Sequence, residues 1–395
     1  MDQQSVAGMV AAAEDALRRG DTGRAFDILS RAESVAPGDA SVHLSRALVY
    51  RSTGDSAAAL ESLDTVLALE PRNFLALLSK GFLLEQQGLA RKAATVYRSA
   101  IAVAPPTDRV PPALAGALTR ARQAVAENSK ALRAHLEENL AEFRTRFGTE
   151  DLDRFDESVD ILTGKTRAYV QQPLLLHYPR LPAIPFFDRE LFPWLAELEA
   201  QTGAIQEELG NLLEGAGTEP FAPYIAYPPG APLDQWSDLN HSRRWSSFFF
   251  WRDGVRQDEA CARCPRTAAA LEALPMARQS RLAPTAMFSA LEAHTEIPPH
   301  TGSTNIRAIV HLPLVLPGPC RFRVGNVTRE WRMNEAWAFD DTIEHQAWND
   351  NDGLRVILIF DVWNPFLSEA ERSLVTEMLR ARSEFQAMDP VSGTG

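Results

Sequence analysis

His300-Thr-Gly-Ser-Thr-Asn-Ile-Arg-Ala-Ile-Val-His311 changes texture halfway along, from a polar, glycine-bearing turn to a run rich in β-branched residues. Strand alternation over Asn305–Leu314 sets Arg307, Ile309 and His311 on one face, with Ile306, Ala308, Val310 and Leu312 on the other. Leu354–Trp363 repeats the pattern, with Arg355, Ile357, Ile359 and Asp361 sharing a face. Between these runs lies Phe339-Asp-Asp-Thr-Ile-Glu-His345. Two histidines, His300 and His345, therefore sit on separate β-like segments, followed by an arginine inside an apolar strand. Neutral imidazoles can hold a ferrous ion, and a guanidinium nearby can clamp the far carboxylate of a 2-oxo acid. A buried arginine needs an anion; a 2-oxo acid supplies one, and so does a neighbouring aspartate.

Working outward, short strands with turn signals are expected at Trp245–Trp251, Thr285–Glu292, Cys320–Val327 and Ala336–Phe339. Their spacing fits a small β-sandwich or barrel. A helix is expected over Phe192–Leu213, and another after Pro365, opened by the capping box Ser368-Glu-Ala-Glu371.

The first third of the chain repeats itself every 34 residues. Gly20, Gly54 and Gly88 keep that spacing, as do Ala25, Ala59 and Ala93, and Pro37, Pro71 and Pro105; Ala13, Ala47 and Gly81 hold the same phase. This is the period of the tetratricopeptide repeat, a pair of helices per unit. Small residues fit where helices approach, glycine fits the turn between them, and proline stops the second helix. Residues 1–107 are read as such repeats, 108–165 as a helical linker and 166–395 as a catalytic domain with a C-terminal helix.

A net charge of −12 and a pI near 5.3 argue against nucleic acid or an anionic membrane as partner. The N-terminal residues lack a basic flank before a long apolar run, so no signal peptide is expected. Apolar runs such as Val356–Phe360 are too short to span a bilayer. Three cysteines make no disulfide framework, and a cytoplasmic location is expected. The pair Cys261 and Cys264 lacks the second ligand pair that a zinc site needs.

The domain resembles the aspartyl/asparaginyl β-hydroxylase family of Fe(II)- and 2-oxoglutarate-dependent oxygenases. The resemblance rests on His300-Thr-Gly-x-Thr-Asn305, Arg307, His311-Leu312, Phe339-Asp-Asp341, Glu344-His345, Trp348, Arg355 and Asp361-Val-Trp-x-Pro365. Upstream, Pro182–Arg189, Asn240-His-Ser-x-Arg-Trp245-Ser and Phe249-x-Trp251 also match, so it covers roughly residues 170–365. It implies an α+β chain: an all-α tetratricopeptide-like solenoid, then a double-stranded β-helix of the jelly-roll or cupin kind.

It also implies roles. His300 and His345 would bind Fe(II), and Arg355 would pair with 2-oxoglutarate. Trp245, Ser289 and His311 fall where the family contacts that cosubstrate, and Arg307 where it contacts substrate. Gly302 stands where most related oxygenases carry a carboxylate ligand, as is usual in this family. One departure stands out: the family's animal members have two arginines facing the substrate carboxylate, and here the second position is Ile309.

The implied reaction uses O2 and 2-oxoglutarate to hydroxylate an unactivated C–H bond. The β-carbon of an Asp- or Asn-like residue is the expected acceptor, in a peptide, a protein or a carrier-bound amino acid presented by the repeats. The loss of one arginine favours a smaller or less acidic acceptor. Two alternatives are a lipid-modifying hydroxylase of the same fold and a non-catalytic tetratricopeptide adaptor. Asp340 and Asp341 are expected to shape the turn before His345 or to orient it, while His177, His241 and His294 are read as structural or surface residues.

Overall fold

The computed structural model describes residues 5–148, 150–216, 220–279 and 282–387. It divides into two compact units, Met1–Thr166 and Arg167–Gly395.

The first unit opens with three antiparallel helix pairs: α1 (Val6–Arg18) with α2 (Thr22–Val35), α3 (Ala40–Ser52) with α4 (Ser56–Leu69), and α5 (Phe74–Gln86) with α6 (Ala90–Ala102). The tetratricopeptide-like reading holds position by position. Gly20, Gly54 and Gly88 adopt φ near +80° in the turn inside each pair, a conformation that side chains with a Cβ resist. Ala25, Ala59 and Ala93 are fully buried where the helices meet. The Asp21 and Asp55 carboxylates accept the Arg24 and Ala58 backbone N–H groups, capping α2 and α4. The segment expected as a linker forms α7 (Pro112–Arg146) and α8 (Asp153–Leu162), and belongs to this unit. Leu118 and Ala121 of α7 are buried, and Arg133–Asp160 and Arg144–Asp156 ion pairs tie α8 to it.

The second unit is built on two antiparallel sheets. Its strands are β1 (Ala222–Pro223), β2 (Trp245–Arg252), β3 (Val255–Arg256), β4 (Ala286–Leu291), β5 (Thr295–His300) and β6 (Arg307–Val315). There follow β7 (Arg321–Val324), β8 (Val327–Glu330), β9 (Trp337–Phe339), β10 (His345–Asn349) and β11 (Arg355–Trp363). The larger sheet runs β1-β2-β4-β11-β6-β9, with β3 on β2; the smaller runs β5-β10-β7-β8.

Alternation along the strands sorts two cores. Val310, Leu312, Leu358 and Phe360 pack outward from the larger sheet against Leu195, Leu198, Ile205 and Leu209. These four come from α9 (Leu195–Ala200) and α10 (Thr202–Ala216), so the helix expected over Phe192–Leu213 breaks at Gln201, where Thr202-Gly203 lowers helix propensity. The opposite face of the sheet joins Phe322, Val324 and Ala347 of the smaller sheet in a second core. Two short helices, α11 (Asp258–Arg263) and α12 (Pro265–Glu272), complete the outer layer, and the chain continues into α13 (Glu369–Ala387). Ser368 and Glu371 form the expected capping box at its start. No helix among the described residues is long and apolar enough to cross a membrane.

Candidate active site

Between the two sheets lies a cavity of about 390 Å³. All seven residues singled out from the sequence line it: Trp245, Ser289, His300, Arg307, His311, His345 and Arg355.

The two histidines meet through strand register. His300 ends β5, His345 begins β10, and the two are direct antiparallel partners with ring centroids 4.0 Å apart. Each ring is fixed by its own chain two residues back. His300 Nδ1 lies 2.7 Å from the Pro298 carbonyl, and His345 Nδ1 lies 3.1 Å from that of Ile343. A carbonyl accepts only, so each Nδ1 carries the proton and each Nε2 keeps its lone pair for a ligand. Burial pushes both imidazoles toward the neutral form, His345 more strongly.

Arg355 is 1% exposed, and among the described residues no carboxylate pairs with it. Its Nη1 donates to the Ser289 carbonyl at 3.4 Å, its guanidinium lies 5.0 Å from the Trp331 ring centre, and its Nε has no partner. Burial lowers its pKa to about 10, which still leaves it charged at neutral pH. Asp361, on the same face of β11, does not neutralise it. That carboxylate ion-pairs with Arg307 instead. The aspartate alternative for Arg355 therefore fails, and a dry, unmatched cation remains in the same cavity as two neutral imidazoles.

His311 is buried between Phe322, Trp331 and Phe339, with Nδ1 unpartnered. Trp245 donates from Nε1 to the Ser289 hydroxyl at 3.1 Å, which orients both side chains on the wall. Arg307 lines the cavity, but its charge is already engaged by Asp361.

The adjacent aspartates divide their work. Asp340 shapes the turn, its Oδ1 accepting from the Thr342 N–H and hydroxyl. Asp341 faces the cavity, with a buried, unpartnered Oδ1, and desolvation lifts its carboxyl to about 7. Tyr224 and Trp236 extend the wall toward Trp245 and His300, with ring centres 4.2 Å and 5.1 Å away respectively. Sequence reading missed both, because Trp236 lies in a short turn and Tyr224 follows a two-residue strand. Cys261 and Cys264 are free and sit in the outer core, where burial raises both thiols, Cys264 to about 12.

Among the described residues, no three of His, Cys, Asp and Glu assemble as a metal-binding group. The donor set is a pair of imidazoles. It suits a metal ion that draws its remaining donors from a small chelating ligand and water. The unpaired Arg355 supplies what an anionic end of such a ligand needs.

A family model described as aspartyl/asparaginyl beta-hydroxylase matches residues 199–365. Ornithine lipid ester-linked acyl 2-hydroxylase of Rhizobium tropici is 33% identical over 202 residues, 50% of this chain and 67% of that protein. Human aspartyl/asparaginyl beta-hydroxylase is 36% identical over 144 residues, 36% of this chain and 19% of that protein. Aspartate beta-hydroxylase domain-containing protein 2 of Xenopus tropicalis is 29% identical over 248 residues, covering 61% and 64%. The chain thus spans two thirds of the bacterial relative and less of the other two. Among solved structures, the Sgt2 TPR domain of Aspergillus fumigatus is 18% identical and covers 32% of this chain and 82% of that one, with a TM-score of 0.28.

Proposed function

The chain belongs to the aspartyl/asparaginyl β-hydroxylase family, and from that premise we propose that it hydroxylates an unactivated C–H bond using Fe(II), 2-oxoglutarate and O2. The observation that carries this reading is Arg355, a fully buried cation with no ion-pair partner among the described residues, in one cavity with two neutral imidazoles. Such a group is costly in a folded protein unless a ligand completes it. A retired domain acting as an adaptor has no use for it.

His300 and His345 would hold the iron through Nε2, and Arg355 would take the distal carboxylate of 2-oxoglutarate. When bound, the metal and cosubstrate supply the oxidising power that converts C–H to C–OH, with release of succinate and CO2. The protein's own share is binding, orientation and exclusion of water. The Pro298 and Ile343 carbonyls keep each imidazole in the ligating tautomer. Phe322, Trp331 and Phe339 keep the inner end of the cavity apolar, which strengthens the hold of Arg355 on an anion. His311 has an unpartnered ring nitrogen to offer the cosubstrate.

For the acceptor, the family premise favours the β-carbon of an Asp- or Asn-like residue. A lipid acyl chain is the second reading. It is supported by the likeness to the Rhizobium acyl hydroxylase and by Ile309 on the cavity wall.

The test is an anaerobic titration of metal-free protein with Fe(II) and 2-oxoglutarate, following the visible charge-transfer band of the chelate. A band is expected that disappears in His345→Ala and weakens in Arg355→Ala. No band from folded, metal-loaded protein would leave the adaptor reading.

A further inference from the structure

On the part of the cavity wall that carries Arg307, its cation is already matched by an anion. Arg307 lies on β6, and Asp361 lies on the adjoining β11, directly across from Ile309. The Arg307 guanidinium ion-pairs with Asp361 and donates to the Leu282 carbonyl at 3.3 Å. Both partners are withdrawn from water, their side chains 13% and 2% exposed. The Thr285 backbone N–H donates to the same aspartate and fixes it in place. Leu174, Leu282, Met287, Ile309 and Ile359 line the same cavity, and the Asp341 carboxyl also faces it, close enough to feel the charge of Arg307.

These facts set a charge balance. A carboxylate brought against this wall would leave one guanidinium facing two anions in a site of low dielectric, where like-charge repulsion is large. Ile309, next along the same face, offers no second cation to relieve it. A neutral oxygen meets no such repulsion. Arg307 retains a buried Nε–H without a partner, and a carbonyl can satisfy it without disturbing Asp361. The adjoining aliphatic side chains would gain by covering an apolar chain.

We propose that the Arg307–Asp361 pair is a specificity determinant, so that the acceptor meets this wall with a neutral carbonyl, an ester or amide, on an apolar chain. Free carboxylates are disfavoured there, so of the acceptors proposed above an aspartyl side chain falls behind an asparaginyl amide or a lipid acyl group. The inference rests on the oxygenase reading above, since it describes the acceptor end of the same cavity.

The test uses the full chain under anaerobic conditions, loaded with Mn(II) and 2-oxoglutarate, with cosubstrate uptake measured first by calorimetry. Absence of that uptake removes the oxygenase reading and this inference with it. With uptake established, octanamide and octanoate, which share a chain length and differ in end-group charge, are titrated in turn. Octanamide should bind at least tenfold more tightly. Ile309→Arg, which adds a cation to the wall, should reverse the preference, and Asp361→Asn should narrow it. Equal or tighter binding of octanoate, or no binding of octanamide, overturns this inference and leaves the oxygenase reading standing. So does an unchanged preference in Ile309→Arg protein whose circular dichroism matches the wild type.

Discussion

The Asp341 carboxylate occupies the space that a side chain on residue 302 would need: a Cβ built on Gly302 falls 1.8 Å from Asp341 Oδ2. The backbones are also joined, with Gly302 N–H donating to the Asp341 carbonyl at 2.6 Å. A side chain at 302 therefore requires the Asp341 carboxylate to shift. Gly302→Ala should lose about 1–3 kcal/mol of stability, the usual range for overpacking, and lower the melting temperature of the metal-free protein. An unchanged melting temperature would show that Asp341 moves aside freely. The exchange Gly302→Asp with Asp341→Gly should recover the loss and raise the affinity for Mn(II), because the carboxylate then comes from the turn two residues beyond His300.

Asp341 also makes stability depend on pH. Burial raises its carboxyl from 3.8 to about 7, so the folded protein binds a proton that the unfolded chain has released. Between about pH 4 and pH 7 the folded state holds more protons, and this group's contribution falls as pH rises through that window. Asp341→Asn, which stays neutral, escapes the loss. Its melting temperature relative to wild type should therefore climb from pH 5 to pH 8 in metal-free protein. A constant difference would mean that the wild-type carboxyl is already ionised at pH 5.

Arg355 should separate stability from function. Its guanidinium is dry and lacks an anion, and replacing such a charge with an apolar group of similar volume is often neutral or stabilising. Arg355→Met should keep or raise the melting temperature of the ligand-free protein while weakening 2-oxoglutarate binding by about 100-fold or more, at roughly 1.4 kcal/mol per tenfold. Wild type should gain about 2.7 kcal/mol of stability at 100 times the dissociation constant of 2-oxoglutarate. A strongly destabilised Arg355→Met protein would indicate that the arginine is structural.

How much of this was legible in the chain depends on the element. Arg307, Ile309 and His311, and Arg355, Ile357 and Ile359, could be assigned a common face because β6 and β11 are central strands whose side chains alternate, although their pairing shifts register once, between Val356 and Ile357. Both histidines could be placed on β-like segments, but the extent of the strands that present them was not legible. Thr295–His300 contains Pro298 and Pro299, which argue against a strand, yet β5 is the edge of the smaller sheet, where proline leaves no ladder bond unmade. His345–Asn349 mixes polar and aromatic residues because one face packs in the core and the other is half-exposed. The partnering of Arg307 with Asp361, and of Gly302 with Asp341, joins residues 54 and 39 positions apart. No local pattern carries such information, and only the closure of the two sheets creates it.

The helical unit carries a comparable constraint at Gly81, where the repeat phase calls only for a small residue. A Cβ there would fall 2.4 Å from the Tyr97 ring, and that ring is 2% exposed, with its hydroxyl donating to Glu85 at 2.9 Å. The neighbouring repeats carry alanine at this phase, Ala13 and Ala47, packed with Leu29 and Leu63, whereas in the third pair the larger Tyr97 ring takes the space of a side chain at 81. Gly81→Ala should therefore destabilise the unit despite the better helix propensity of alanine, which alone would add about 1 kcal/mol. Adding Tyr97→Leu should make room for the methyl group and restore part of the loss, so the two changes would be non-additive. Thermal unfolding of the four proteins, followed by circular dichroism, measures the coupling. Simple additivity would mean that Tyr97 does not hold the ring position that excludes a side chain at 81.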